Sequence, residues 1–515
     1  MNSIELSLFS NRIAAVCNEM GAVLQRVAFS PNIKDRLDFS CAVFSGTGEL
    51  LAQAAHIPVH MGSMAYAMAD VVALIDWQPG DMVMLNDPYM GGTHLPDVSL
   101  IAPLFIDQQL AAFVVNRAHH ADIGAESPGS MPISSSLLEE GVVISPTKLV
   151  VDHQIVQSVL QALLQQLKNS DESNGDFNAQ ISANRRGLQR LQGLIQSMGL
   201  AAYRQAEAAL NDYAEKIARC ALSQIADGDY QFSDYMDDDG QGQQDIRIHC
   251  RISLKSGRLV ADFNGTDKQV KGNINCPVAV AAAAVFYVFR CLMPAHTPAC
   301  AGTFRPIELS VPEGCLLNAR YPAAVAAGNV ETSSRVVDVV MGALAQAIPE
   351  QIPAASHGSM NNLAMGYEGD DKLAGWNYYE TIGGGMGAGK HGGGLSALQT
   401  HMTNTLNTPI EVLESRYPLR IRRYEIRRGS GGDGDSKGGD GIIRELEFLQ
   451  PAQFTLLSER RRYRPWGINA EPGKKGRNSL NGELVGAKIN AKVKSGDVLL
   501  IKTPGAGGWS AKQVD

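Results

Sequence analysis

Apolar and polar positions repeat along this chain with two different periods, and the changes of period divide it. Residues 3–28 carry Ile4, Leu6, Leu8, Ile13, Val16, Met20, Val23 and Val27 among polar residues, a spacing that predicts an amphipathic helix. From Asp38 to Val151 the pattern is strand-like, with short apolar runs at 41–44, 82–85, 98–106, 110–115 and 141–144. Residues 155–225 place Leu and Ile three and four apart with few breakers, which predicts helix. Strands return over 228–263, around the acidic loop Asp237-Asp-Asp-Gly240. The runs 278–292 and 336–348 read as buried helices, the second stopped by Pro349. From Trp376 onward, glycine clusters at 383–394, 429–441 and 505–508 separate short strands.

The predicted class is α+β and multidomain, because 515 residues exceed what one hydrophobic core holds. The pattern suggests an N-terminal β-rich metal-site domain over 1–150 and a helical segment over 151–227. A mixed α/β core over 228–375 and a glycine-rich, mostly β C-terminal part over 376–515 follow. Composition changes this little, with 44% apolar and 19% charged residues. A net charge of −8 gives no reason to expect nucleic acid or an anionic membrane as partner. The longest uncharged apolar run, 278–289, is far short of the roughly 20 residues that span a bilayer. No secretory leader is visible, and eight scattered cysteines without a Cys-x-x-Cys pair suit reduced thiols, so a cytoplasmic protein is expected.

Chemistry concentrates in Asp87-Pro-Tyr-Met-Gly-Gly-Thr-His94-Leu-Pro-Asp97 and Asn116-Arg-Ala-His119-His120-Ala-Asp122. Imidazoles and carboxylates together are the donor set of divalent cations. The runs 98–106 and 110–115 flank Asp107-Gln-Gln109, which fits a hairpin with a three-residue loop. Paired residues then sum to 216 and Asp97 faces His119, whereas a loop one residue longer places it opposite His120. Neighbouring strand residues point to opposite faces, so only one of the two histidines reaches an ion shared with Asp97. His94, on a loop stiffened by Pro96, can curl to the same point. Asp38 taken alone reads as a turn cap or a partner of Arg36. His56 and His60 have a helical metal spacing, but Pro58 between them argues for a pocket-lining loop. Gly384-Gly-Met-Gly-Ala-Gly-Lys390-His391 has phosphate-loop spacing, yet puts His where Ser or Thr belongs and has no helix after it. Thr408-Pro-Ile-Glu411 reads as a capping box.

Several segments resemble the hydantoinase B/oxoprolinase family. They are Ser30-Pro-Asn-Ile-Lys-Asp-Arg-Leu-Asp-Phe-Ser-Cys41, His56-Ile-Pro-Val-His-Met-Gly-Ser63, the two site segments, Asn329-Val-Glu-Thr-Ser-Ser-Arg335, Gly438-Gly-Asp-Gly441 and Thr503-Pro-Gly-Ala-Gly-Gly-Trp509. The resemblance implies a B-type component of an ATP-dependent cyclic-amide hydrolase, opening hydantoin, 5-oxoproline or lactam rings. ATP is then bound by a hydantoinase A-type partner, in a hetero-oligomer of two A-type and two B-type chains. It further implies one divalent ion, Zn, Mn or Fe, held by Asp38, His94, Asp97 and His119. His120 or Asp122 is then placed to orient or deprotonate the attacking water. A component of a ketone carboxylase and a non-catalytic scaffold for the A-type partner are the alternatives.

Overall fold

The computed structural model describes residues 2–55, 57–371, 373 and 375–511. Helix α1 (Ser3–Val27) starts at a capping box in which Asn2 and Glu5 satisfy each other's backbone N–H, and it buries Phe9, Ile13, Val16, Met20 and Leu24. The short α2 (Pro31–Lys34) leads into β1 (Phe39–Ser45) and β2 (Leu50–Ala55), and these into α3 (Pro58–Leu74). Then come β3 (Met82–Leu85), β4 (Asp97–Ile106), β5 (Gln109–His119), β6 (Thr147–Val151) and β7 (Gln154–Ile155). The seven strands form one antiparallel sheet in the order β2-β1-β5-β4-β3-β6-β7.

Both faces of this sheet are covered, which is why its strands read as apolar runs rather than clean alternations. Every residue of β1 is buried. Cys41 and Val43 join α1 and the long helices α5 (Ser170–Met198) and α6 (Leu200–Leu222), which follow α4 (Gln157–Leu164). Ala42 and Phe44 face the opposite core with α3 and the alanine-rich α7 (Val278–Leu292). A Cβ on Gly62 would lie 2.5 Å from the Ala283 Cα, so only glycine lets α3 lie this close to α7.

A second sheet, in the order β11-β10-β9-β8, comprises β8 (Gly228–Asp238), β9 (Gln244–Lys255), β10 (Arg258–Asp262) and β11 (Ile307–Ser310). A π-helical turn, Gly328–Thr332, opens the fully buried α8 (Ser333–Leu344). The glycine-rich part contributes β12 (Asn362–Tyr367), β13 (Trp376–Glu380), α9 (Ile410–Arg416), β14 (Leu419–Arg427), β15 (Gly441–Phe448) and β16 (Ala452–Leu457). It ends with β17 (Arg477–Leu480), β18 (Glu483–Val485), β19 (Lys488–Val493) and β20 (Val498–Lys502). Two sheets, β13-β12-β16-β19 and β14-β15-β20-β17-β18, enclose a shared core that includes Leu363, Phe448, Phe454 and Ile501.

Three expectations change. Residues 141–144 are not a strand, because the Asn86 side chain accepts from the Ile144 N–H (2.6 Å) and takes the place of a ladder partner. The strand begins later, at Thr147. The capping box at Thr408 does not form, since α9 starts at Ile410 after Pro409 without a side-chain cap. The hairpin between β4 and β5 closes through two residues, not three. Asp107 and Gln108 both take left-handed φ, and Ile106 pairs with Gln109.

Candidate metal centre

The predicted register at the site survives the shorter turn because a bulge between Leu104 and Phe105 shifts the pairing by one. Asp97 therefore faces His119 at the buried end of the hairpin. That end is pinned by backbone bonds, with the His119 N–H donating to the Asp38 carbonyl (3.0 Å) and the His120 N–H to the Pro96 carbonyl (2.8 Å). The loop before β4 curls so that the Asp97 N–H donates to the His94 carbonyl (3.1 Å).

Around Asp97 the side chains converge. His94 Nε2 lies 3.3 Å and His60 Nε2 3.4 Å from Asp97 Oδ2, while His119 Nδ1 lies 3.4 Å from Oδ1. His119 Nδ1 is also 4.0 Å from Asp38 Oδ2. The ligand atoms of His94, Asp97 and His119 all lie within 4.8 Å of one another. All five side chains are buried. His94 Nε2, Asp97 Oδ1 and His119 Nε2 have no hydrogen-bond partner, an arrangement that buried polar atoms rarely tolerate unless something else binds there. Spacings near 3.4 Å match the edges of a tetrahedron with metal–ligand bonds of about 2.1 Å, so the donors fit a divalent ion in type and spacing.

Further bonds hold these side chains in place. His94 Nδ1–H donates to the Ala326 carbonyl (3.2 Å), which fixes the tautomer and leaves the Nε2 lone pair facing Asp97. Glu140 in turn accepts from the Val325 and Ala326 N–H groups (2.9 and 3.0 Å) and so holds that carbonyl in place. Burial pushes the Glu140 carboxyl up to about 7. Thr93 Oγ1 donates to Asp97 Oδ2 (2.5 Å), and Asn329 Nδ2 does so at 3.3 Å from the π-helical turn. Tyr379, on β13, stacks on the His119 ring at 4.9 Å with planes 10° apart. Its hydroxyl donates to Asn362 Oδ1 (2.6 Å), and Arg36 holds its carbonyl (2.9 Å).

Burial works to raise the Asp97 carboxyl, but the imidazoles of His94, His60 and His119 outweigh it and hold Asp97 well below the ordinary carboxylate range. Burial likewise works to lower His94, and the charge of Asp97 overcomes it, leaving His94 raised. Both shifts describe a site whose carboxylate stays ionised and attracts positive charge.

Of the residues singled out in the sequence, the structure brings together Asp38, His94, Asp97 and His119. His120 points away, toward α5, where Nε2 lies 3.0 Å from Gln180 Oε1 and the ring packs on Phe177. Burial lowers its proton affinity. Asp122 accepts from the Gly124 and Asn169 N–H groups (2.9 and 2.8 Å), which anchors the start of α5. His60 joins the cluster from the first turn of α3, because Pro58 opens that helix instead of breaking it. His56 lies outside the described residues. Asn329 and Tyr379 carried no spacing signal. Lys390 pairs with Glu350 (2.6 Å), and no helix follows it.

The hydantoinase B/oxoprolinase family model matches residues 2–512. The chain belongs to that family. A 5-oxoprolinase of Arabidopsis thaliana is 39% identical over 99% of this chain, which spans only 42% of that protein. The B-type component of a putative D-/L-hydantoinase from Pseudomonas sp. strain NS671 is 32% identical, the match covering 99% of this chain and 90% of that protein. The crystal structure of the ATP-dependent caprolactamase from Pseudomonas jessenii superposes with a TM-score of 0.90 at 25% identity, covering 99% of this chain and 91% of that one. This member of the hydantoinase B/oxoprolinase family therefore has the caprolactamase fold. Among its described residues, no helix is long and apolar enough to cross a membrane.

Proposed function

We propose that this chain is the metal-bearing hydrolytic component of an ATP-dependent cyclic-amide hydrolase. It opens a hydantoin, 5-oxoproline or lactam ring after an A-type partner has used ATP to activate the carbonyl. The observation that carries this reading is the buried cluster of His94, Asp97 and His119 with unpartnered donor atoms, in a chain of this family. Asp38 completes the donor set, and His60 stands beside it.

A divalent ion held there, Zn, Mn or Fe by its donors, supplies Lewis acidity and makes water acidic enough to attack near neutral pH. Asp97 and Asp38 supply the negative charge that balances it. The Ala326 carbonyl fixes the His94 ring through Nδ1 and leaves Nε2 free to bind the ion. Tyr379 covers one face of His119 and keeps bulk water from it. Asn329 Oδ1, buried and without a partner, is available to accept from a ring N–H or a water. His120 and Asp122 serve here as positioning residues that fix the end of β5 against α5.

Metal analysis of the purified protein is expected to find about one divalent ion per chain. Asp97→Asn and His119→Ala should lower that content below a tenth. Mixed with an A-type partner, the wild type should consume ATP only when a cyclic amide is present, and both variants should lose at least a hundredfold of that rate. A metal-free wild type whose turnover survives both substitutions and chelation would overturn the reading.

A further inference from the structure

Within the glycine-rich part, six cations line one cavity of about 520 Å³: Arg427, Arg461, Arg464, Lys474, Lys475 and Arg477. Leu484 and Val485 of β18 form an apolar wall beside them. Among the described residues, the ion pair of Arg464 with Glu471, at 4.0 Å, is the only one any of the six makes. Six cations this close repel one another, and an anion in the cavity would relieve that repulsion.

The cavity is built rather than accidental. Arg427 Nη1 donates to the carbonyls of Lys475 and Thr503 (2.8 and 2.9 Å). Arg461 donates to Asn361 Oδ1, the Glu459 carbonyl and Asn478 Oδ1 (2.6, 2.7 and 2.9 Å), and its Nε is buried without a partner. Arg464 is held by the carbonyls of Gly473 and Pro472 (3.1 and 2.7 Å). Three guanidinium groups are thus fixed largely by neutral oxygen acceptors, while Lys474, Lys475 and Arg477 stand exposed beside them. A Cβ on Gly476 would lie 2.8 Å from Arg461 Cζ, so any larger residue there would push that guanidinium aside.

We propose that this cavity binds a small molecule carrying phosphate groups, at a site separate from the metal centre. Phosphate brings close to two negative charges per group and accepts bonds from several directions, which suits fixed guanidinium forks supplemented by mobile ammonium groups. The volume is that of a small-ligand pocket, and the apolar wall favours a phosphate attached to an organic body. Arg461 connects the cavity inward through Asn361 to Asn362, the partner of Tyr379.

Calorimetric titration of the full chain with inorganic phosphate, pyrophosphate and ADP tests this. Saturable binding is expected, tighter for ADP than for pyrophosphate if an organic body is recognised. Lys475→Glu and Arg477→Glu should each weaken it at least tenfold, while Lys255→Glu on β9 and Asp97→Asn at the metal centre leave it unchanged. No saturable binding to the wild type, or binding indifferent to Lys475→Glu and Arg477→Glu, would overturn the proposal. So would loss of a co-purifying acidic chain in those variants without any anion binding, which would make the patch a protein-docking surface. The readout involves no amide or ATP turnover, so its failure leaves the hydrolase reading standing.

Discussion

Asp97 shows what a single buried residue requires of its neighbours. Its two oxygens face three imidazoles, a hydroxyl and an amide, and without them an ionised carboxylate at 1% exposure would be untenable. His357 is the opposite case, a histidine kept neutral. Burial lowers its ring to about 4, with the Gly385 carbonyl at 3.2 Å from Nδ1. A folded-state value below the unfolded one means that the unfolded chain binds the extra proton first. The stabilisation is therefore complete above about pH 6.5 and is lost as pH falls toward 4, by about 3 kcal/mol in all. Denaturant unfolding of the wild type and His357→Asn across pH 4–8 should show their stability difference constant above pH 6.5 and shrinking below it. A difference that stays flat down to pH 4 would contradict the assignment.

At the scale of elements, the helix α3 carries His60 to Asp97, and its closeness to α7 depends on Gly62. Alanine is the better helix former by up to about 1 kcal/mol. Here the clash with the Ala283 backbone should win and cost about 2 kcal/mol net. Gly62→Ala should thus lower the thermal midpoint and weaken metal binding together. A variant more stable than the wild type would show that the two helices can separate freely. The sequence made the hairpin legible because two apolar runs, 98–106 and 110–115, flank a short polar loop, but the choice of His119 over His120 opposite Asp97 rested on an assumed three-residue loop and on the family resemblance. The bulge was not legible, since its extra residue is Ala111 on β5 and nothing in the apolar run 110–115 marks it. Helix α3 was missed for a local reason: Pro58 reads as a breaker unless it occupies the first turn, and only the packing of Met64, Met68 and Val71 shows that it does.

Across the whole molecule, the centre joins parts that are remote in sequence. Asp38, His60, His94, Asp97 and His119 come from the first sheet and its helices, Asn329 from the turn before α8, and Tyr379 from the glycine-rich part. Periodicity reports on single elements, so contacts such as His119 on Tyr379 lay beyond it. Bound metal should accordingly stabilise the fold as a whole, by about 4 kcal/mol when free metal exceeds Kd a thousandfold. Chelation should lower the main calorimetric transition of the wild type and leave that of Asp97→Asn unmoved; an unshifted wild type would mean that the centre is not coupled to global unfolding. The stacking of Tyr379 on His119 also has a bearing on biosynthesis. While the ribosome is still making the 300s, the first sheet can fold, but His119 lacks the ring that covers it. Nascent chains stalled before Tyr379 should therefore exchange metal faster than released ones, and lasting occupancy becomes a late event in the life of each molecule.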